Sequence, residues 1–358
     1  MGRALMLIIR QEHRDPPIEI DVGSWIYAMT FSANGEYLMS GDRGGVRVWR
    51  VKDGTQVARM EAKDVRCLAV SKDGRWIAAG TWVGDIFVWD GKTYKQVFKH
   101  WEDSRTNGVD FSPDSTHLVS ASDNRTATVW DIPAGKRVQT LHHDGFLRTA
   151  KYSPQGDRIA TATPDSIRTW DSKDGRFKLL LDIRVGVTPF YNTGLLWSNN
   201  HLFVISGSHI QQIDASIGSV VSQWSVPESH YYSCIALPKH GEFIAHSANR
   251  TVTFWDTSSH TQLGHIRHSQ DIRSTALSAN AKFIAIGEAG RKVCLSRMIV
   301  SVLFRSIVEH TSNSDPFTHR IQTLFLVHTQ DSRSQSLKSM TPRSIHGGSI
   351  NSQTRKYH

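Results

Sequence analysis

The segments Asp85-Ile86-Phe87-Val88-Trp89-Asp90 and Thr126-Ala127-Thr128-Val129-Trp130-Asp131 decide the fold, because they are two copies of one pattern. Each is a short run of β-branched and aromatic residues that ends in Trp-Asp, which is typical of a β-strand. Similar endings recur, 40 or 41 residues apart for the first four: Trp49-Arg50, Trp89-Asp90, Trp130-Asp131, Trp170-Asp171 and Trp255-Asp256. Ile213 and Leu295 occupy the two remaining positions at this spacing, so the series has seven members.

A second marker follows the same period and supports the first. A turn of the Ser-Pro-Asp-Gly type precedes each strand ending, most clearly at Ser32-Ala33-Asn34-Gly35, Ser71-Lys72-Asp73-Gly74, Ser112-Pro113-Asp114-Ser115 and Ser153-Pro154-Gln155-Gly156. Pro presets φ, and Asn, Asp and Gly tolerate a left-handed backbone, so these residues favour turns between strands. A period of about 40 residues ending in Trp-Asp is typical of one four-stranded propeller blade. The sequence therefore predicts an all-β chain that forms a seven-bladed β-propeller with four-stranded antiparallel blades.

The ring must be closed, because an open sheet edge favours aggregation. In the first repeat we expect strands at 25–31, 36–40, 46–49 and 56–60. The last repeat supplies only three strands, and 17–20 at the start of the chain is a spare one. We predict that this N-terminal strand pairs with the third strand of blade seven and closes the ring. A competing possibility is that Met298–Phe304 takes that place.

The chain divides into three predicted parts. Residues 1–15 form an N-terminal extension, residues 16–296 form the propeller with five clear and two degenerate repeats, and residues 297–358 form a Ser-rich basic tail. The tail holds eight Lys or Arg residues against three acidic ones, within a chain of net charge +9. Its low periodicity and high Ser content predict disorder. Because the composition changes abruptly inside the last repeat, an artefact of the gene model is an alternative explanation of the tail.

These repeats resemble the WD-repeat β-propeller family over about residues 17–296. The resemblance implies a scaffold that presents surfaces to other proteins, usually without catalysis. It also implies a hydrogen-bonded tetrad in each blade, made by a Gly-His dipeptide, an Asp, a strand Ser and the Trp. Gly-His is absent at that place in every repeat, and His142-His143 comes nearest to it. We therefore expect most of the polar tetrad to be missing and apolar packing around the Trp residues to hold the blades.

The face around the channel, where the loops between blades meet the turns between second and third strands, is the predicted site of partner binding. We call it the channel-side face. Register with the turn marker assigns to it Trp25, Tyr27, Asp42, Arg66, Trp82, Arg105, Asn107, Phe146, Arg148, Tyr191, Tyr232 and Arg273. Aromatic residues and Arg carry much of the energy of measured interfaces, because they bury large areas or form bidentate polar contacts. The alternative is that Trp25, Phe146 and Tyr191 only pack between blades.

Composition and motifs weigh against other classes of function. No phosphate-binding Gly-rich loop, paired metal-ligand spacing or nucleophile elbow is present in the sequence, so we expect no enzyme, no cofactor and no metal. The three cysteines, Cys67, Cys234 and Cys294, have no disulfide or metal spacing, which predicts small buried residues in an intracellular, reducing compartment. The apolar run 4–9 is too short for a membrane span.

A polyanion-binding protein is the alternative functional hypothesis. The basic tail could contact phosphates without sequence specificity, whereas the predicted channel-side face mixes Arg with Asp. Polyanion binding usually requires a patch of one sign. We therefore expect the partners to be other proteins rather than nucleic acid, and the chain could be a subunit of a larger complex. The expected location is intracellular, in the cytoplasm or nucleus.

Overall fold

Every strand that the sequence pattern predicts belongs to one ring. The computed structural model of the chain describes residues 3–11, 16–181, 194–206, 208–228, 233–239, 241–306 and 325–327. Within these residues all regular structure is β-strand and no helix occurs. Seven four-stranded antiparallel blades form the ring, so the predicted seven-bladed β-propeller is confirmed.

Two strands, β1 (Arg3–Gln11) and β2 (Ile18–Asp21), precede the first blade. Each of the first six blades then consists of four consecutive strands, the first at the channel and the fourth at the rim. Blades one to three contain β3 (Ala28–Phe31), β4 (Tyr37–Asp42), β5 (Gly45–Arg50), β6 (Gln56–Met60), β7 (Val65–Val70), β8 (Trp76–Thr81), β9 (Asp85–Asp90), β10 (Gln96–Trp101), β11 (Thr106–Phe111), β12 (His117–Ser122), β13 (Thr126–Asp131) and β14 (Lys136–His142).

Blades four to six repeat the arrangement. Their strands are β15 (Thr149–Tyr152), β16 (Arg158–Ala162), β17 (Ile167–Asp171), β18 (Phe177–Leu181), β19 (Leu195–Ser198), β20 (His201–Ser206), β21 (His209–Asp214), β22 (Val220–Ser225), β23 (Ser233–Ala236), β24 (Phe243–Ala248), β25 (Thr251–Asp256) and β26 (Gln262–Arg267). In all six blades the register shifts where the start of the fourth strand pairs with the end of the third, as between Val129 and Trp130. Such bulges increase local twist.

The seventh blade is built from both ends of the described chain. It contains β27 (Ile272–Leu277), β28 (Phe283–Glu288) and the first part of β29 (Lys292–Ser306), and β2 is its outer strand. Ile18 pairs with Leu295 and Asp21 with Lys292, while Lys292 Nζ donates to Glu19 Oε2 at 3.0 Å. The predicted closure of the ring by the N-terminal strand is confirmed.

Strand β29 continues beyond the predicted end of the propeller. Its second half pairs with β1, from Met298 opposite Gln11 to Ser306 opposite Arg3, and with a short strand, β30 (Phe325–Val327). The segment 298–304 therefore extends the third strand of blade seven and does not compete with β2. Because the other residues of 307–358 lie outside the described residues, the tail as a domain stays a prediction.

The core consists of apolar layers between neighbouring blades, and the repeated Trp positions lie in these layers. Trp49, Trp89, Trp130 and Trp170 are buried, whereas Trp255 is only partly buried. Ile213 and Leu295, the two positions without Trp, are buried as well. The series of seven strand endings thus marks equivalent sites in all seven blades.

Part of the polar network survives in three blades, which the sequence analysis did not anticipate. The Nε1 atoms of Trp49, Trp130 and Trp170 donate to Ser40, Ser120 and Thr161 at 2.8, 2.9 and 2.8 Å. In blade three, Ser120 Oγ continues the chain to Glu102 Oε1 at 3.0 Å. Burial raises the pKa of Glu102 above its usual range. A carboxyl group therefore lies in the loop where the family pattern would have His.

Candidate functional site

The exposed aromatic side chains are concentrated on the channel-side face. Among the described residues, the large aromatic side chains classed as exposed are Trp25, Trp82, Trp101 and Phe146. Trp25 and Phe146 lie in loops between blades, and Trp82 lies in the turn between the second and third strands of blade two. Trp101 is the last residue of β10, next to the loop that leads to blade three. The other exposed large hydrophobic residues are aliphatic, and apart from Val83 they lie on outer strands or in the turn before one.

Trp25 lies at the boundary between blade seven and blade one. The guanidinium carbon of Arg273, from blade seven, is 4.4 Å from the centroid of the indole, and that of Arg43, from blade one, is 5.4 Å away. Arg43 also approaches Asp64 of the next blade, with Nε 3.9 Å from a carboxylate oxygen. The indole of Trp25 thus connects blades seven and one, and Arg43 connects blade one to the next blade.

Trp82 has the same surroundings one blade further on. The guanidinium carbons of Arg66 and Arg105 are 4.5 and 3.9 Å from its ring centroid, and Arg105 belongs to blade three. Cation–π contacts of this kind contribute about 0.5–1 kcal/mol each when exposed and more when desolvated. Both indoles are 37% exposed, so they are held in place but are not covered.

Asp123 joins the loops of blades three and four. Its Oδ1 accepts a hydrogen bond of 2.6 Å from Asn107 Nδ2, which also donates to Leu147 O at 2.7 Å. The guanidinium groups of Arg105 and Arg148 each approach this carboxylate to 3.9 Å. Phe146, half exposed beside them, lies 5.7 Å from the guanidinium carbon of Arg125.

Two predicted residues have little exposure. Asp42 is fully buried, where Arg47 Nε approaches its Oδ2 at 3.1 Å and Gly44 N donates to its Oδ1. Arg66 is 8% exposed, and its guanidinium carbon lies 4.5 Å from the centroid of the Trp82 ring. Tyr27 is partly buried, and Tyr191 and Tyr232 lie outside the described residues.

The first strands of all seven blades line a central cavity of about 170 Å³. Its lining is mostly aliphatic or small, with Asn107, Arg148 and Lys151 on one side. Lys151 Nζ is engaged by Asp110 at 3.2 Å. Among the residues that the structure describes, no group of three or more His, Cys, Asp or Glu side chains could hold a metal ion.

None of the three cysteines, all of which the structure describes, is part of a disulfide bond. Cys67 and Cys234 are buried, and burial raises the pKa of the Cys67 thiol to about 12. A thiol with so high a pKa is a poor nucleophile at neutral pH, because the thiolate is the reactive form. These positions therefore behave as small core residues.

Sequence reasoning missed Val83, Arg43 and Arg125 on the face, and Trp101 beside it. Trp101 ends the outer strand β10, and Val83 lies in the turn after Trp82. The available signal was the turn Trp82-Val83-Gly84, which is unusually apolar for an exposed connection. Gly84 has φ of +93°, and a Cβ there would lie 2.1 Å from Glu102 O, so this turn packs closely against the end of β10.

Comparison with known proteins agrees with this geometry. The family model described as "WD domain, G-beta repeat" matches residues 20–50, 54–90 and 92–131, which correspond to the first three blades. This chain is a WD-repeat protein. The four later blades of the WD-repeat ring are recognised here from the structure.

Three relatives illustrate the similarity of this WD-repeat chain to characterised proteins. WD repeat-containing protein 1 of Rattus norvegicus is 28% identical over 54% of the chain and 34% of its own length. WD repeat-containing protein 18 of Danio rerio is 24% identical over 68% of the chain and 63% of its own length. Protein groucho of Drosophila melanogaster is 22% identical over 77% of the chain and 39% of its own length.

The WD-repeat chain thus spans about a third of the length of the rat relative and less than two thirds of the others. These relationships support a role in protein interaction. No helix in the part of the chain that the structure describes is long and apolar enough to cross a membrane.

Proposed function

We propose that this WD-repeat protein is a non-catalytic scaffold that binds a segment of a partner protein on the channel-side face. The observation that carries the proposal is the pair of half-exposed indoles, Trp25 and Trp82, each contacted by two guanidinium groups from adjacent blades. Aromatic and Arg side chains that are ordered before binding are the groups that dominate measured interface energies.

The exposed parts of these indoles offer apolar surface for a partner to cover. A Trp side chain has on the order of 250 Å² of surface, so 37% exposure leaves roughly 90 Å² on each indole. At about 25 cal/mol per Å², covering one of them contributes about 2 kcal/mol. Phe146 adds a third apolar contact on blade four. Three such contacts, with Arg105 and Arg148 beside them, resemble a small cluster of interface hot spots.

The fold also lowers the cost of association. Each of these side chains lies in a short connection between strands, and hydrogen bonds such as Asp123 N to Arg105 O at 2.9 Å hold neighbouring connections together. A face that needs little rearrangement loses less conformational entropy on binding. Among the described residues that line the channel, the charged ones are Arg148 and Lys151, and no carboxylate or His accompanies them, which favours binding over acid–base catalysis. An intracellular setting remains a prediction from the spacing of the three cysteines, which form no disulfide bond.

The test compares the whole chain with the double variant Trp25→Ala/Trp82→Ala in affinity capture from the source cells, followed by mass spectrometry. The control is Val57→Ala/Val97→Ala, which shortens two exposed residues on the outer strands β6 and β10. We expect a set of proteins to be captured by the parent and the control but not by the Trp variant. Equal capture by all three proteins would refute the assignment of the face.

A further inference from the structure

Trp101 is the most exposed of the described aromatic residues and yet is held in place. It is 64% exposed, and its Nε1 donates a hydrogen bond of 3.0 Å to Val83 O. Glu102 N donates to Gly84 O at 2.9 Å, which fixes the end of β10 against the same turn. An exposed Trp that is already ordered can bind a partner without losing much side-chain entropy.

Trp101 extends the apolar surface of blade two from the channel-side face to the rim. Trp82 and Val83 are neighbours in the chain, and Val83, 51% exposed, accepts the hydrogen bond from Trp101. We name Trp82, Val83 and Trp101 the blade-two strip. From their exposed fractions the strip presents on the order of 300 Å² of apolar surface, which is the size of patch that is often functional in monomers.

The charges beside the strip favour an acidic ligand. The Cζ atoms of Arg66 and Arg105 lie 4.5 and 3.9 Å from the centroid of the Trp82 ring. The two positive guanidinium groups are therefore at most about 8 Å apart, within one Debye length at physiological salt. Arg105, whose side chain is 45% exposed, approaches Asp123 only to 3.9 Å, which is too long for a hydrogen bond. A carboxylate from a ligand could therefore still form a charge-assisted hydrogen bond with Arg105.

Three other acidic residues, at positions 85, 102 and 103, lie close to the strip in the chain. Asp85 is paired with Lys99 Nζ at 3.0 Å. Glu102 is buried, and its Oε1 accepts a hydrogen bond of 3.0 Å from Ser120 Oγ. Asp103 is an exposed acidic residue of the adjoining loop. The strip thus combines an apolar surface with the accessible guanidinium group of Arg105 at its inner end.

We propose that the blade-two strip binds a linear segment of a partner protein in which a bulky apolar residue lies next to an acidic one. The apolar side chain packs on Trp101 and Val83, and the carboxylate contacts Arg105. This inference rests on the proposed function, since it specifies the chemistry of the segment and the path that it takes from the channel-side face to the rim.

The probe is a phage-displayed library of random linear peptides selected on the full chain. Enriched peptides are synthesised, and their affinities are measured for the parent, Trp101→Ser, Arg105→Gln, Trp25→Ser, Trp82→Ser and the control Val97→Ser. Val97 is an exposed residue at the opposite end of the same strand. We expect enriched peptides to contain an aromatic or Leu residue beside Asp or Glu.

For those peptides, Trp101→Ser should weaken binding by about thirtyfold or more and Arg105→Gln by about tenfold, as for interface hot spots. Val97→Ser should leave the affinity unchanged. If Trp25→Ser weakens the binding of the peptides but Trp101→Ser does not, the proposal for the blade-two strip is refuted and the proposed function stands. If no selected peptide depends on Trp25, Trp82 or Trp101, both proposals fail. A parent dimer that Trp101→Ser converts to a monomer would overturn the peptide proposal in favour of a second copy.

Discussion

His246 makes the stability of blade six sensitive to pH, and a single substitution tests this. It lies on β24 with 1% of its surface exposed, and its Nε2 is 3.0 Å from Ser233 Oγ. It occupies the place that Ser40 and Ser120 hold in blades one and three, nine or ten residues before the Trp. Burial lowers its pKa from 6.5 to about 4, because the charged imidazolium is disfavoured in the core.

The sign of the effect follows from proton binding. Above about pH 6.5 His246 is neutral in both the folded and the unfolded chain, so it adds no pH dependence. As the pH falls from 6.5 towards 4, the unfolded chain binds a proton that the folded chain does not, and the free energy of unfolding decreases. A difference of about 2.5 pKa units corresponds to about 3 kcal/mol, lost over that range.

The assay is urea unfolding of the parent and of His246→Gln, followed by tryptophan fluorescence at intervals between about pH 7 and pH 4. His143, whose pKa burial also lowers to about 4, contributes to both proteins and cancels in the difference. We expect the parent to lose about 3 kcal/mol more than the variant over this range. His265→Gln, which removes an exposed imidazole, is the matched control. A parent-minus-variant difference that stays constant with pH would refute the reasoning.

Three further outcomes are expected. Trp89→Ala should lower the free energy of unfolding by about 3–5 kcal/mol, measured by urea unfolding, because the buried indole stacks on Phe87 with centroids 5.2 Å apart; a loss below about 1 kcal/mol would contradict its structural role. Ile20→Ala should cost about 2–5 kcal/mol by the same assay, since this buried residue of β2 packs at the closure of the ring, and an unchanged midpoint would mean that β2 does not close it. Glu102→Gln should become more stable relative to the parent as the pH rises above the usual carboxyl range, because the raised pKa of Glu102 makes its ionisation favour the unfolded chain. The measurement is the Tm of both proteins as a function of pH, and a difference in Tm that does not change with pH would exclude this.

The architecture could be predicted from the sequence because each blade repeats one local pattern. The Trp or aliphatic ending of the third strand and the turn before it recur in every blade, and Ile213 and Leu295 fill buried positions equivalent to the Trp residues. The closing strand could be predicted because the last repeat lacked one partner. The continuation of β29 to Ser306 could not, because it pairs with β1 from the far end of the chain rather than with a neighbouring strand.

The composition of the face was predictable, but its contacts were not. Register placed Trp25, Trp82 and Phe146 on it, and the structure leaves all three exposed. The pairing of each indole with arginines from two elements depends on which turns meet in space, which a single sequence does not encode as a local pattern. Asp42 shows the limit most clearly, because its place in the register suggested exposure while Arg47 and a backbone NH surround it in the interior.

The contacts around Trp25 make the proposed binding face a product of ring closure. Arg273 comes from the last blade and Arg43 from the first, and the indole between them lies in the segment that follows the closing strand β2. The hydrogen bond from Val22 N to Arg291 O, 3.0 Å long, connects that same segment to blade seven. If β2 separated from β29, Trp25 would lose its fixed position relative to Arg273. Closure by the N-terminal strand therefore serves two purposes: it completes the seventh sheet, and it orders one of the two indoles on which the proposed function depends.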